Sequence, residues 1–183
     1  MIGAGADIEA GEGAAGTALH FAALRGHCPI MELLINQKAN VNALSQKDGP
    51  VINAAIRSGT VDAVQQIMHG DVSFLMDYTK CDAPLSLSAG LSEPSLFRDI
   101  LETGKEKWLQ NVKLLDQALI AASYSNRLES LRILLKFPHV YTNNTLEDAM
   151  LSAATEKNWA VVNELLDYAN HVRIAHIIPE IIE

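Results

Sequence analysis

The sequence predicts an all-α solenoid of stacked helix pairs. Three observations carry that prediction: a pattern that returns about every 33 residues, a helix-stopping residue at each return, and a core supplied largely by alanine. Of the 183 residues, 49% are apolar by the AVILMFWYC count, yet only 5% are aromatic, and 24 are Ala. A chain of this length buries roughly 70% of its unfolded surface, and a single domain is the default expectation.

The elements follow in order. Gly5-Ala6-Asp7-Ile8-Glu9-Ala10 returns as Lys38-Ala39-Asn40-Val41-Asn42-Ala43, and Gly16-Thr17-Ala18-Leu19-His20-Phe21-Ala22-Ala23 aligns at the same offset with Gly49-Pro50-Val51-Ile52-Asn53-Ala54-Ala55-Ile56. Ala83-Pro84-Leu85-Ser86-Leu87-Ser88-Ala89 keeps the phase, and Ala118–Ala122 and Met150–Ala154 follow within one residue. Each Ala-rich stretch reads as a short helix ended by Gly26, Gly59, Ser92, Asn126 or Asn158, at intervals of 33, 33, 34 and 32. Gly and Asn tolerate the left-handed conformation that ends a helix and reverses the chain. Ser92-Glu93-Pro94 instead reads as a cap and first turn. Each stop leads into a second helix with an apolar stripe. The stripes are Met31/Leu33/Leu34, Val64/Ile67, Leu96/Phe97/Ile100/Leu101, Leu131/Ile133/Leu134 and Leu165/Leu166. Ile174, Ile177, Ile178, Ile181 and Ile182 read as the start of another unit covering the Leu165-Leu166 helix, with Pro179 interrupting any single long helix.

Thr17-Ala18-Leu19-His20-Phe21-Ala22-Ala23, then Gly26-His27, Leu33-Leu34 and Ala39-Asn40-Val41-Asn42-Ala43, resembles one ankyrin repeat, and at the level of spacing the likeness covers residues 2–170. The resemblance implies an ankyrin-type helical repeat solenoid with hairpin-like loops, or fingers, between units. It implies that Thr17 and His20 tie the loop to the helix by hydrogen bonds. His20 becomes Asn53, Ser86, Ile120 and Ser152 in later units, so those depend more on apolar packing. The units fall at 1–10 (partial), 11–43, 44–76, 77–109, 110–141, 142–173 and 174–183 (partial). Neither end reads as a polar capping repeat, so the chain is expected to be part of a longer one.

Charge and composition exclude several classes. The net charge is −8, and residues 1–92 and 93–183 each carry −4. A nucleic-acid binder needs clustered Lys and Arg, which are missing. Cys28 and Cys81 are too few for a disulfide framework and read as reduced thiols. No apolar run reaches the ~20 residues of a membrane span. The amino end lacks a signal-peptide pattern. An intracellular location, cytoplasmic or nuclear, is expected, and the sequon at Asn143 is then irrelevant.

No catalytic residue, cofactor or metal ligand is expected. Gly11-Glu12-Gly13-Ala14-Ala15-Gly16 spells G-x-G-x-x-G, but no apolar strand precedes it and a second helix follows, whereas a dinucleotide turn needs strand, helix, strand. It reads instead as a glycine-rich loop between repeats. His20 and His27 suit structural roles, His171 and His176 lie on different helical faces, and His69 and His139 are isolated.

Binding surface is the stronger expectation. The two residues before each stop face the concave side, which nominates Leu24, Arg25, Arg57, Leu91, Tyr124, Glu156 and Lys157 as a partner-contact strip. On the loops, Tyr78, Trp108 and Tyr141 are further candidates. Trp108, with Leu109, Val112, Leu114 and Leu115, is either a partner anchor on an apolar finger or a packing residue under an enlarged loop, the packing role being preferred. Trp159 reads as a packing residue. The function expected is a non-catalytic protein-interaction module. The competing reading is a regulatory or substrate-recruiting segment of a larger enzyme or signalling protein, and a nucleotide-using enzyme is third.

Overall fold

A computed structural model describes residues 6–11, 15–70, 72, 83–91 and 93–181, the stretch 172–181 by its backbone alone. In chain order the elements are α1 (Ala18–Leu24), α2 (Cys28–Asn36), β1 (Leu44–Ser45), β2 (Gly49–Pro50), α3 (Val51–Ser58), α4 (Val61–Met68), α5 (Pro84–Leu91), α6 (Pro94–Thr103), α7 (Lys105–Gln110), α8 (Val112–Tyr124), α9 (Leu128–Leu135), α10 (Asn143–Thr155) and α11 (Trp159–Ile181). Inner helices α1, α3, α5, α8 and α10 pack in succession, and each lies against its own outer helix, α2, α4, α6, α9 or α11. The result is a helical-repeat array with one continuous core. Leu19, Ile52, Leu85 and Leu115 fill it from the inner row, and Met31, Ile67, Ile100, Leu131 and Leu165 from the outer row. Each such side chain contributes about 1.5–3 kcal/mol relative to exposure.

The 33-residue period is visible in hydrogen bonds. Glu9 N–H donates to Asp7 Oδ1 at 3.0 Å, and Asn42 N–H donates to Asn40 Oδ1 at 2.9 Å, the same turn one period on. The two turns are joined by Asn40 N–H donating to Glu9 Oε1 at 2.7 Å. The finger between the first two units is a hairpin in which β1 pairs antiparallel with β2, Ser45 opposite Gly49. His20 ties this finger to α1. Thr17 N–H donates to its Nδ1 at 3.1 Å, so the proton sits on Nε2, which lies 3.1 Å from the Gly49 carbonyl and donates to it. Thr17 and His20 are buried.

The turns within units carry left-handed residues at Gly26 (φ 63°), Gly59 (φ 70°) and Asn126 (φ 54°), as their chemistry predicts. In the last unit the structure corrects the expectation: Lys157 (φ 61°), not Asn158, takes the left-handed position. The reason is a second job for the following residue. Asn158 Nδ2 donates back to the carbonyls of Ser123 and Tyr124 at 3.1 and 3.0 Å, closing the carboxyl end of α8. Arg127, the residue after Asn126, does the same for α5, donating to the carbonyls of Gly90 and Leu91 at 3.1 and 3.3 Å. Thr60, after Gly59, lies against Gly26, where a Cβ would meet its Oγ1 at 2.3 Å. In the last two units each repeat thus completes the helix end of the one before it. Arg127→Ala and Asn158→Ala are each expected to cost about 1–2 kcal/mol in urea unfolding and to add when combined, the sites belonging to different interfaces. A double variant as stable as the parent would contradict this capping role.

Three further expectations change. The apolar loop before the fourth unit is a helix, α7, and the inner helix after it, α8, starts six residues ahead of the Ala118–Ala122 stretch, so that Leu114 and Leu115 are inner-helix residues. The unit boundary at 109/110 falls inside α7. At the carboxyl end, α11 runs unbroken from Trp159 to Ile181, through Pro179 and through the 173/174 boundary, so the expected break before a further unit is absent. Outside the described residues lie Met1, Ile2, Glu12–Ala14, Tyr78, Cys81, Ser92 and Ile182.

Candidate partner-binding groove

The inner helices line a groove of about 720 Å³ that crosses four repeats. α3 supplies Arg57, α5 supplies Ser86 and Leu91, α8 supplies Gln117 and Tyr124, and α10 supplies Ser152. At its floor α5 and α8 approach closely: a Cβ on Gly90 would lie 3.1 Å from Ser125 Oγ. Small residues there let the backbones meet and leave the trough above them open. Leu91 and Tyr124 stand over it 50% and 57% exposed. Arg57 is oriented from the finger, its Nε 3.7 Å from Oδ1 of the buried Asp48. Ser86 occupies the place that His20 has in the first unit. Where the imidazole reaches the next repeat, the shorter hydroxyl is buried without a hydrogen-bond partner among the described residues.

Of the residues nominated from sequence, the structure gathers Arg57, Leu91 and Tyr124 around one groove. Arg25, Glu156 and Lys157 are exposed and Leu24 half-buried, outside its lining. Two nominations are corrected. Trp108 is fully buried, its indole N–H donating to the Ile100 carbonyl at 3.4 Å, so it is core and not a contact. Tyr141 is buried too, its hydroxyl donating to the Leu134 carbonyl at 3.3 Å and its ring edge-on to His139 and Tyr168. Burial pushes its phenol well above the ordinary value, with Tyr168 and Asp116 adding to the shift. Trp159, read as packing, is instead exposed. Sequence reasoning passed over Ser86, Gln117 and Ser152. The signal available was the replacement of His20 by smaller side chains in later units.

Chemically the groove offers shape, apolar surface and one guanidinium. Arg57 is the charged member of its lining among the described residues. Among the described residues no three of His, Cys, Asp and Glu converge as metal ligands would, and no helix is long and apolar enough to cross a membrane. The G-x-G-x-x-G segment serves the fold at its last glycine: Gly16 has φ 110°, and a Cβ there would press on His20 at 3.0 Å.

Helix pairs joined by left-handed turns, with a hairpin finger and a groove across the inner row, define a helical-repeat array. The ankyrin repeat model matches residues 16–46. Among solved structures, an ankyrin repeat domain from Acinetobacter baumannii superposes with a TM-score of 0.57 at 18% identity, covering 81% of this chain and 78% of that one. No curated protein sequence matches. Residues 16–46 are an ankyrin repeat, and the array as a whole has the fold of an ankyrin repeat domain. Ankyrin repeats are in general protein–protein interaction modules, typically non-catalytic.

Proposed function

We propose that this chain captures a protein partner in the groove between α3, α5, α8 and α10, with Leu91 and Tyr124 as its apolar anchors and Arg57 at its rim. The observation that carries this is the exposure of a Leu and a Tyr, each half out in solvent, over a trough that spans four repeats. A tyrosine buried on binding is a common energetic centre of interfaces, as is an arginine, and holding such residues on rigid helices reduces the entropy lost on binding. The fingers, led by the β1–β2 hairpin, would flank the bound partner. Catalysis has no part in this reading, and an intracellular location suits it.

A photo-crosslinking amino acid at position 124 or 91 is expected to capture the same partner from native lysate, whereas one at Glu129, an exposed outer-helix position, should not. With that partner purified, Tyr124→Ala is expected to weaken binding by about tenfold or more at unchanged melting temperature. Equal capture from position 129, or an affinity indifferent to both Leu91→Ser and Tyr124→Ala, would move the site elsewhere.

A further inference from the structure

The polar side chains that line the groove can all donate hydrogen bonds: Arg57, Ser86, Gln117, Tyr124, Ser125 and Ser152. Among the described residues no carboxylate stands in that lining. Two of the donors lie at one end. The Nε of Arg57 is 3.7 Å from Oδ1 of Asp48, which stands just ahead of α3, so the side chain leans back toward the amino ends of the inner helices. Ser86, in the first turn of the neighbouring α5, stands at that level. Its Oγ is buried and has no hydrogen-bond partner. A guanidinium has five N–H groups in a planar fork, so Asp48 at Nε does not exhaust it.

The next part of the groove is apolar. Leu91 and Tyr124 stand half in solvent where α5 and α8 meet at Gly90, which brings no side chain to fill the space. A cationic, donor-rich end over α3 and α5 thus adjoins an apolar slot over α5 and α8. Packed helices lie about 8–10 Å apart, a distance that an extended chain covers in about three residues.

Given a partner held in this groove, as proposed above, we infer that its bound segment is extended and carries a carboxylate side chain. That carboxylate pairs with Arg57 and accepts from Ser86 Oγ, while an apolar side chain about three residues away enters the slot between Leu91 and Tyr124. Charge sets the choice. The net charge of −8 opposes an acidic partner as a whole, but one guanidinium in a lining without carboxylates favours a single acid set among apolar residues.

Selection from a phage-displayed library of random twelve-residue peptides on the wild-type chain tests this, with the enriched peptides synthesised and titrated by fluorescence anisotropy. They are expected to share one Asp or Glu about three residues from a large apolar residue. Changing that acid to its amide is expected to weaken binding about tenfold to the wild type and less than about twofold to Arg57→Gln, the coupling a direct pair produces. Ser86→Ala is expected to weaken binding about threefold or more without lowering the urea midpoint, because replacing an unpartnered hydroxyl costs the fold nothing. It serves as the second variant should Arg57→Gln fold poorly. Peptides that need Leu91 and Tyr124 but carry no acid, or that ignore Arg57→Gln and Ser86→Ala, overturn this inference and leave the groove as the binding site. A library that yields no binder, or basic peptides alone, overturns it too. Peptides indifferent to both Leu91→Ser and Tyr124→Ala overturn it together with the groove reading.

Discussion

Trp108→Ala is expected to lower the unfolding free energy by about 3–5 kcal/mol, the largest loss of any single substitution in the array. The indole is fully buried and heads the largest side chains of the core. It lies so close to α6 that a Cβ on Gly104 would stand 2.3 Å from the ring. Truncation leaves a cavity that the short helix α7 cannot close, because its remaining residues, Lys105, Glu106, Lys107, Leu109 and Gln110, are polar or face outward. Urea unfolding followed by circular dichroism measures the loss, and a change below about 1 kcal/mol would show that the cavity collapses at little cost. Partner capture at position 124 should survive in the fraction that stays folded, which separates this residue from the groove.

His20→Ala is expected to cost about 2–4 kcal/mol, because it strands two buried backbone groups at once, the Thr17 N–H and the Gly49 carbonyl. The loss should be local. In a solenoid each repeat touches its neighbours alone, so amide exchange is expected to quicken in α1, in the β1–β2 finger and at the start of α3, and to change little in α8 to α11. Uniformly faster exchange along the chain would show that the array unfolds as one unit. His20→Gln, which offers an acceptor and donors at a different reach, is expected to recover part of the loss.

Much of this fold was legible from the chain because its rules are local and recur. A glycine or asparagine that ends a helix signals itself at Gly26, Gly59 and Asn126, and the Thr17–His20 pair signals its own hydrogen bonds. The misreadings came where tertiary packing outweighed a local preference. Asn158 is better suited than Lys157 to a left-handed backbone, yet its amide is used to close the end of α8, and the lysine takes the strained position. In Lys105–Gln110 the adjacent Trp108 and Leu109 carry no helical stripe, and what holds a helix there is the burial of Trp108 against the end of α6. Trp159 reads as a packing residue because it follows a helix stop; its equivalents Cys28 and Leu128 are half-buried, but in the last described repeat the ring is exposed. At the groove the period led to Arg57, Leu91 and Tyr124 but not to Ser86, Gln117 and Ser152. The groove's depth was not readable either, since that depends on how closely Gly90 lets α5 approach α8.

The backward-reaching side chains give the array an order in time. Arg127 closes a carbonyl 37 residues earlier, so during synthesis the end of α5 waits open until that arginine leaves the ribosome, about 2–7 s at roughly 5–20 residues per second. Asn158 imposes a similar delay on α8. A chain growing through either of these units therefore carries an unfinished repeat at its leading edge, and a ribosome that stalls there leaves the previous one exposed to chaperones and proteases.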